Sequence, residues 1–235
     1  MNRDTIELAV IRICREIYSS NRQSWWLSAD ESDLLFELVS CILGSQVHYE
    51  MALTAAEEIR NAGLLKKPTK RFNMSGYEKV IYNIIRRPLH NPIWRPEGRC
   101  YRFARPRANQ ISRTVWAIYS DGASIHGRLQ TYKTDTEARR SIVEIAAGVG
   151  PKQASLFLRN IGFSDELAIL DTHLLRFMSI FGWLDQTIRV VTSLRNYENL
   201  ENHLRFYAKS IGYSLGCVDL AIWITMRVYL SEMRA

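Results

Sequence analysis

Residues 137–162 read EARRSIVEIAAGVGPKQASLFLRNIG. Two segments with apolar residues at helical spacing are joined by little more than Gly-Val-Gly-Pro. So short a joint turns the second helix back on the first as an αα-hairpin. Gly148 and Gly150 supply backbone conformations that a side chain would resist. Pro151 suits the first position of the second helix. The free N–H groups at that helix start make an anion site, so the hairpin reads as a grip for a DNA phosphate. An ordinary short turn between helices is the plain alternative. Lys152 stands in the first turn of the second helix, where the helix dipole would favour a carboxylate instead.

The helical period recurs along the chain. TIELAVIRICREIYSS places Ile6, Val10, Ile13 and Ile17 on one face. ESDLLFELVSCILGS follows a capping Asp30, and HYEMALTAAEEIRNAG stops at Gly63. PRANQISRTVWAIYSDG, DTHLLRFMSIFG, YENLENHLRFYAKSIG and CVDLAIWITMRVYLSE complete the set. No strand ladder is evident. The proline-rich stretch RRPLHNPIWRPEGRC, residues 86–100, reads as a loop between helices. The expectation is an all-α protein of about ten helices, in two helical lobes with a cleft between them. One lobe, roughly 101–182, holds the hairpin, and residues 1–100 with 183–235 make the other.

Charge narrows the class of partner. Residues 66–113 hold thirteen Lys and Arg against two acids, +11, within a chain of net charge +7. The remaining residues are therefore −4. A basic block in an otherwise mildly acidic protein suggests a polyanion partner, against the plainer reading of a solvated basic face. The four cysteines are scattered without a C-x-x-C pair, so they read as reduced thiols of a cytoplasmic protein, with no metal site. No apolar run approaches the length of a membrane span, and the charged opening segment is unlike a secretory leader.

The stretch GVGPKQASLFLRNIGFSDELAILDTHLLRFM, residues 148–178, resembles the signature of the helix-hairpin-helix DNA glycosylase superfamily. There a hairpin G-h-G-x-K-x-A is followed about twenty residues later by h-D-x-H. Within that superfamily, QASLFLRNIG and LAILDTHLLR most resemble the second, archaeal and bacterial, family of 8-oxoguanine DNA glycosylases. YRFARPRANQI (101–111), CVDLAIWITMRVYL (217–230) and FELVSCILGSQVHYEMALTAAEEI (36–59) extend the likeness to most of the chain. The hairpin opens on Ala146-Ala147 where most of the superfamily has Leu-Pro. Gly44-Ser45-Gln46 stands where the 8-oxoguanine family usually has an asparagine. The four-cysteine loop of the iron–sulfur branch is absent, so no cluster is implied; the hairpin leaves room for a monovalent cation.

The resemblance implies roles. Lys152 is the nucleophile that attacks the sugar of a flipped nucleotide; from its position alone, a lysine holding phosphate by charge is equally good. A helix N-terminus and nearby cations would depress its pKa and free the amine. Asp171 is the carboxylate that stabilises positive charge at the sugar and helps activate the lysine. Capping the helix that follows is its alternative role, and both can hold at once. Gln46 takes the position that fills the gap left by the flipped base, or simply caps a helix. Arg102, Arg105 and Arg107 contact phosphate or the orphaned base, or are merely solvated. Gly148, Gly150 and Gln153 complete the DNA-binding set. Trp223 would stack on the flipped base and Asp219 accept from its N–H groups; Trp223 as plain core is the counter-reading.

The expected function is excision of an oxidised or otherwise modified base, 8-oxoguanine-like, from double-stranded DNA by a monomer, with associated β-lyase activity. Three alternatives stand beside it. One is excision of a bulky modified base from foreign (phage) DNA. Another is a monofunctional glycosylase in which Asp171 activates water. The third is a non-catalytic hairpin module.

Overall fold

The computed structural model describes residues 3–17, 24–68, 73–91 and 95–232. Among them, eleven α-helices follow in chain order: α1 Arg3–Ile17, α2 Glu31–Leu43, α3 Tyr49–Asn61, α4 Met74–Ile85, α5 Ala104–Tyr119, α6 Ile125–Thr131, α7 Asp135–Ile145, α8 Pro151–Asn160, α9 Thr172–Ile180, α10 Leu194–Ile211 and α11 Leu215–Glu232. Short polar side chains start several of them. Asn73 accepts from Gly76 N at 2.8 Å, Ser124 from Gly127 N at 2.9 Å and Thr134 from Glu137 N at 3.1 Å. Each satisfies an amide that the first turn would otherwise leave without a partner. Asp30 sits at the N-cap position of α2 but makes no side-chain cap bond.

The chain divides into two compact units, Trp25–Ile161 and Met1–Ser24 with Gly162–Ala235. These bounds differ from the lobes expected from sequence, which split the chain near residues 100 and 182. The reason lies in the packing of the hairpin. In the first unit α2 packs on α8 as well as on α3 and α5, so the early helices belong with α7 and α8. Its core includes Leu34, Leu38, Ile42, Ile111 and Phe157, all fully buried. In the second unit α11 packs on α1, α9 and α10. Val10, Leu174, Phe177, Leu204, Val218 and Ile222 fill its centre. No single described helix is long and apolar enough to cross a membrane.

The stretch read as a loop is instead an antiparallel hairpin, β1 Pro88–Asn91 with β2 Arg95–Cys100. Pro88 opens β1, where its missing N–H costs no ladder bond. Leu89 is buried and a bulge lies between Leu89 and Asn91. Gly98 adopts φ 77°, which favours glycine, and a Cβ there would sit 2.6 Å from the His90 ring.

Candidate active site

The turn between α7 and α8 is held on both sides. Ala147 N donates to Thr114 Oγ1 at 2.9 Å and Val149 N to Ala146 O at 3.1 Å. Gly148 adopts φ 77°, and a Cβ there would overlap the Gln110 side chain at 2.2 Å. The positive φ favours glycine there, and a larger residue would also have to displace the Gln110 amide. Gly150 corrects the sequence reading: its φ −93° and ψ 179° are extended and open to any residue. It serves as the N-cap ahead of Pro151. The two glycines predict different mutants. Gly148→Ala should lower Tm by roughly 3–8 °C, from about 1–2 kcal/mol of left-handed strain plus displacement of Gln110. Gly150→Ala should shift it less; a thermal melt of both variants checks this.

Lys152 is half-buried in the first turn of α8. It lines a pocket of about 110 Å³ together with Glu37, Cys41, Tyr49, Gln153 and Asn160. The charged partner sharing that pocket is Glu37, an acid, whereas a cationic surrounding was expected. Glu37 Oε1 accepts from Asn160 Nδ2 at 2.7 Å. Burial pushes the Cys41 thiol well above its ordinary value; Glu37 adds to the rise and Lys152 opposes it. Cys41 is therefore a neutral wall beside the lysine rather than a competing nucleophile. Gln153 is half-buried at the same rim. Glu37 and Tyr49 escaped the sequence reading; an acid midway along the apolar run of α2 was the available signal.

Gln46 does not cap a helix, since the N-cap of α3 is His48. It lies in the turn between α2 and α3, three residues before α3 starts, and adopts φ 62°. It is the one described residue other than glycine with a positive φ. Strain of this kind persists only where the surroundings enforce it. Here Arg107 Nη2 donates to Ser45 O at 2.9 Å and Tyr101 Oη to Leu43 O at 2.5 Å. Burial raises the Tyr101 hydroxyl to about 12, opposed by Arg107. It remains a donor at any ordinary pH.

Arg107 is thereby corrected from a phosphate contact to a strut. It is 8% exposed, and its Nη1 donates to Gln110 Oε1 at 2.6 Å. Gln110 in turn lies over Gly148, so a single chain of contacts joins the Ser45–Gln46 turn to the hairpin. Arg102 and Arg105 are exposed, with guanidinium carbons 5.0 Å from the Phe103 ring centre and 5.1 Å from that of Tyr82. Gln46, His48, Arg99 and Arg102 border a further pocket of about 210 Å³.

Asp171 caps α9. Its Oδ1 accepts from His173 N at 2.8 Å and Leu174 N at 3.0 Å. The capping reading therefore holds. Asp219 is corrected: it is 4% exposed, and its Oδ2 accepts from Ile169 N at 2.5 Å instead of facing a base pocket. Trp223 is half-buried at the margin of the core. It lies edge-on to His173 at 6.1 Å, with the Arg227 guanidinium 5.0 Å from its ring centre. His173 Nδ1 is buried with no hydrogen-bond partner among the described residues.

The sequence profile of the family described as 8-oxoguanine DNA glycosylase matches residues 95–213, just over half the chain. The 8-oxoguanine DNA glycosylase/AP lyase of Thermoplasma volcanium is 32% identical over 81% of this chain and 79% of its own length. The chain belongs to the 8-oxoguanine DNA glycosylase family. The Fusobacterium nucleatum 8-oxoguanine DNA glycosylase/AP lyase is 29% identical over 84% of this chain and 82% of its own. The crystal structure of the Methanocaldococcus jannaschii 8-oxoguanine glycosylase/lyase with a 15mer DNA containing 8-oxoguanine shares the fold. Its TM-score is 0.65 at 24% identity, covering 91% of this chain and 94% of that one. The mostly helical architecture and the helix-hairpin-helix element are thus those of the family.

Proposed function

We propose that this protein is a DNA N-glycosylase with associated β-lyase activity that acts, as a monomer, on duplex DNA carrying 8-oxoguanine. The observation that carries the reading is Lys152: an amine in the first turn of the hairpin's second helix, directly after the Gly148–Pro151 turn, in a chain of this family.

The modified nucleotide leaves the stack, because its glycosidic bond is out of reach inside the duplex. The free amine of Lys152 attacks C1′ of the sugar. The C1′–N bond breaks, and its electron pair departs with the base, which takes up a proton. Positive charge grows on the sugar as that bond lengthens, and the Asp171 carboxylate offsets it. Opening of the ring gives an iminium between Lys152 and C1′. Loss of a C2′ proton then expels the 3′ phosphate by β-elimination. Gln46 fills the space left by the base, Arg102, Arg105 and Gln153 hold phosphates, and Trp223 offers a face for stacking.

An 8-oxoguanine duplex incubated with the protein should release free base and a nicked strand, resolved by chromatography and a denaturing gel. Base release without nicking would indicate water attack aided by Asp171; binding with neither product would indicate a non-catalytic module. The basic block sets a further expectation. With about four phosphate contacts, affinity falls about 10²-fold between 50 and 200 mM salt. A flat salt response in a filter-binding titration contradicts DNA as the partner.

A further inference from the structure

Residues 167–171, which carry Asp171, form neither helix nor strand. Backbone amides in such a buried segment must still find acceptors, or each costs about 1–3 kcal/mol. Three consecutive amides find them on side chains. Ala168 N donates to Glu201 Oε1 at 2.8 Å, Ile169 N to Asp219 Oδ2 at 2.5 Å and Leu170 N to the Tyr197 hydroxyl at 2.9 Å. The same hydroxyl donates to Ala168 O at 2.9 Å. The acceptors alternate between helices: Glu201 and Tyr197 stand on α10, Asp219 on α11. The segment is therefore gripped from two helices.

The side chains involved are costly ones to bury. Tyr197, Glu201 and Asp219 are 0%, 1% and 4% exposed. Two buried carboxylates are an expensive way to satisfy a short loop, since apolar packing with local backbone bonds would do so at lower desolvation cost. The Glu201 carboxylate is itself braced. Arg205 Nη2 lies 3.4 Å from Glu201 Oε2 and donates to Glu166 O at 2.9 Å. Directly after the gripped amides comes Asp171, whose Oδ1 is already fixed by the start of α9. The carboxylate is therefore held from its own helix and from the segment before it.

We infer that Tyr197, Glu201 and Asp219 are positioning residues that set where the Asp171 carboxylate stands and thereby govern base excision. The inference rests on the reading of Asp171 given under the proposed function. Tyr197→Phe removes one hydroxyl, and with it both the acceptor for Leu170 N and the donor to Ala168 O, while keeping the buried ring. A small misplacement of a reacting group costs up to about 10²-fold in rate. The expected loss of single-turnover excision in Tyr197→Phe is about tenfold, with DNA affinity unchanged.

The decisive comparison is a double-mutant cycle. If Tyr197 acts through Asp171, Tyr197→Phe changes the residual rate of Asp171→Asn by less than about twofold. The same tenfold loss in both backgrounds overturns the inference, because a merely structural defect adds equally to each. Amide hydrogen exchange provides a readout free of activity. Residues 168–174 of Tyr197→Phe should exchange about tenfold faster or more, while the core amides of α11 do not change. Unchanged exchange across 168–174 also overturns it. Absence of base release from the wild-type protein would refute the proposed function, and the exchange measurement would still decide the clamp.

Discussion

In Lys152→Gln, base release from an 8-oxoguanine duplex falls by about 10³-fold or more, on the scale of losing a covalent nucleophile. The fold survives. Lys152 is half-buried in a helix, and glutamine has nearly the same helix propensity with a shorter unbranched stem. The competing role for this lysine, charge against phosphate, predicts another pattern. In that case the variant keeps its excision rate once saturated with DNA, and the salt dependence of binding loses about one unit of slope. Titration at several salt concentrations, paired with single-turnover excision, separates the two. Glu37 sharpens the choice. It lines the same pocket as Lys152, and a carboxylate near a lysine favours the charged form that holds phosphate over the free amine that attacks.

Asp171→Asn should lower excision by about 10²–10³-fold while leaving thermal stability within about 0.5 kcal/mol of the wild type. Asparagine caps a helix about as well as aspartate, because its carbonyl oxygen can accept from the amides of His173 and Leu174 as Oδ1 does. The substitution removes the charge and spares the cap. A variant that melted as the wild type does and excised at the wild-type rate would reduce Asp171 to a capping residue. Asp171→Ala is the complement: it loses the cap as well, at a cost of about 1 kcal/mol, visible as a lower Tm.

The hairpin was legible because its signals are local. A glycine in the left-handed region, a proline at a helix start and two amphipathic flanks all fall within 26 residues, and Gly148 takes the conformation expected. The β1–β2 hairpin was not legible. Its strands are four and six residues long, and its pairing is set by the fit of His90 over Gly98 and the burial of Leu89 rather than by any period. Arg107 and Asp219 were misread for one shared reason. From the sequence both read as polar groups seeking a ligand, yet each sits on the buried stripe of its helix. Arg107 falls in step with Ala104, Ala108 and Ile111, and Asp219 with Leu215, Ile222 and Met226. The same spacing places Tyr197 and Glu201 in line with Leu204 and Ala208. A charged residue in register with an apolar stripe is a candidate for holding backbone, and that test applied along α5, α10 and α11 finds the struts described above.

Gln46 shows the reverse limit. Its place in a short turn was near the expected one, but its left-handed backbone depends on Arg107, sixty-one residues further on, reaching Ser45 O. Nothing within the turn announces that contact.

Borohydride reduction during turnover of an 8-oxoguanine duplex, followed by proteolysis and mass spectrometry of the cross-linked peptide, tests the central claim most directly. A reduced sugar adduct on the Lys152 side chain is the predicted result. Full base release with no adduct, or an adduct on any other residue, contradicts it.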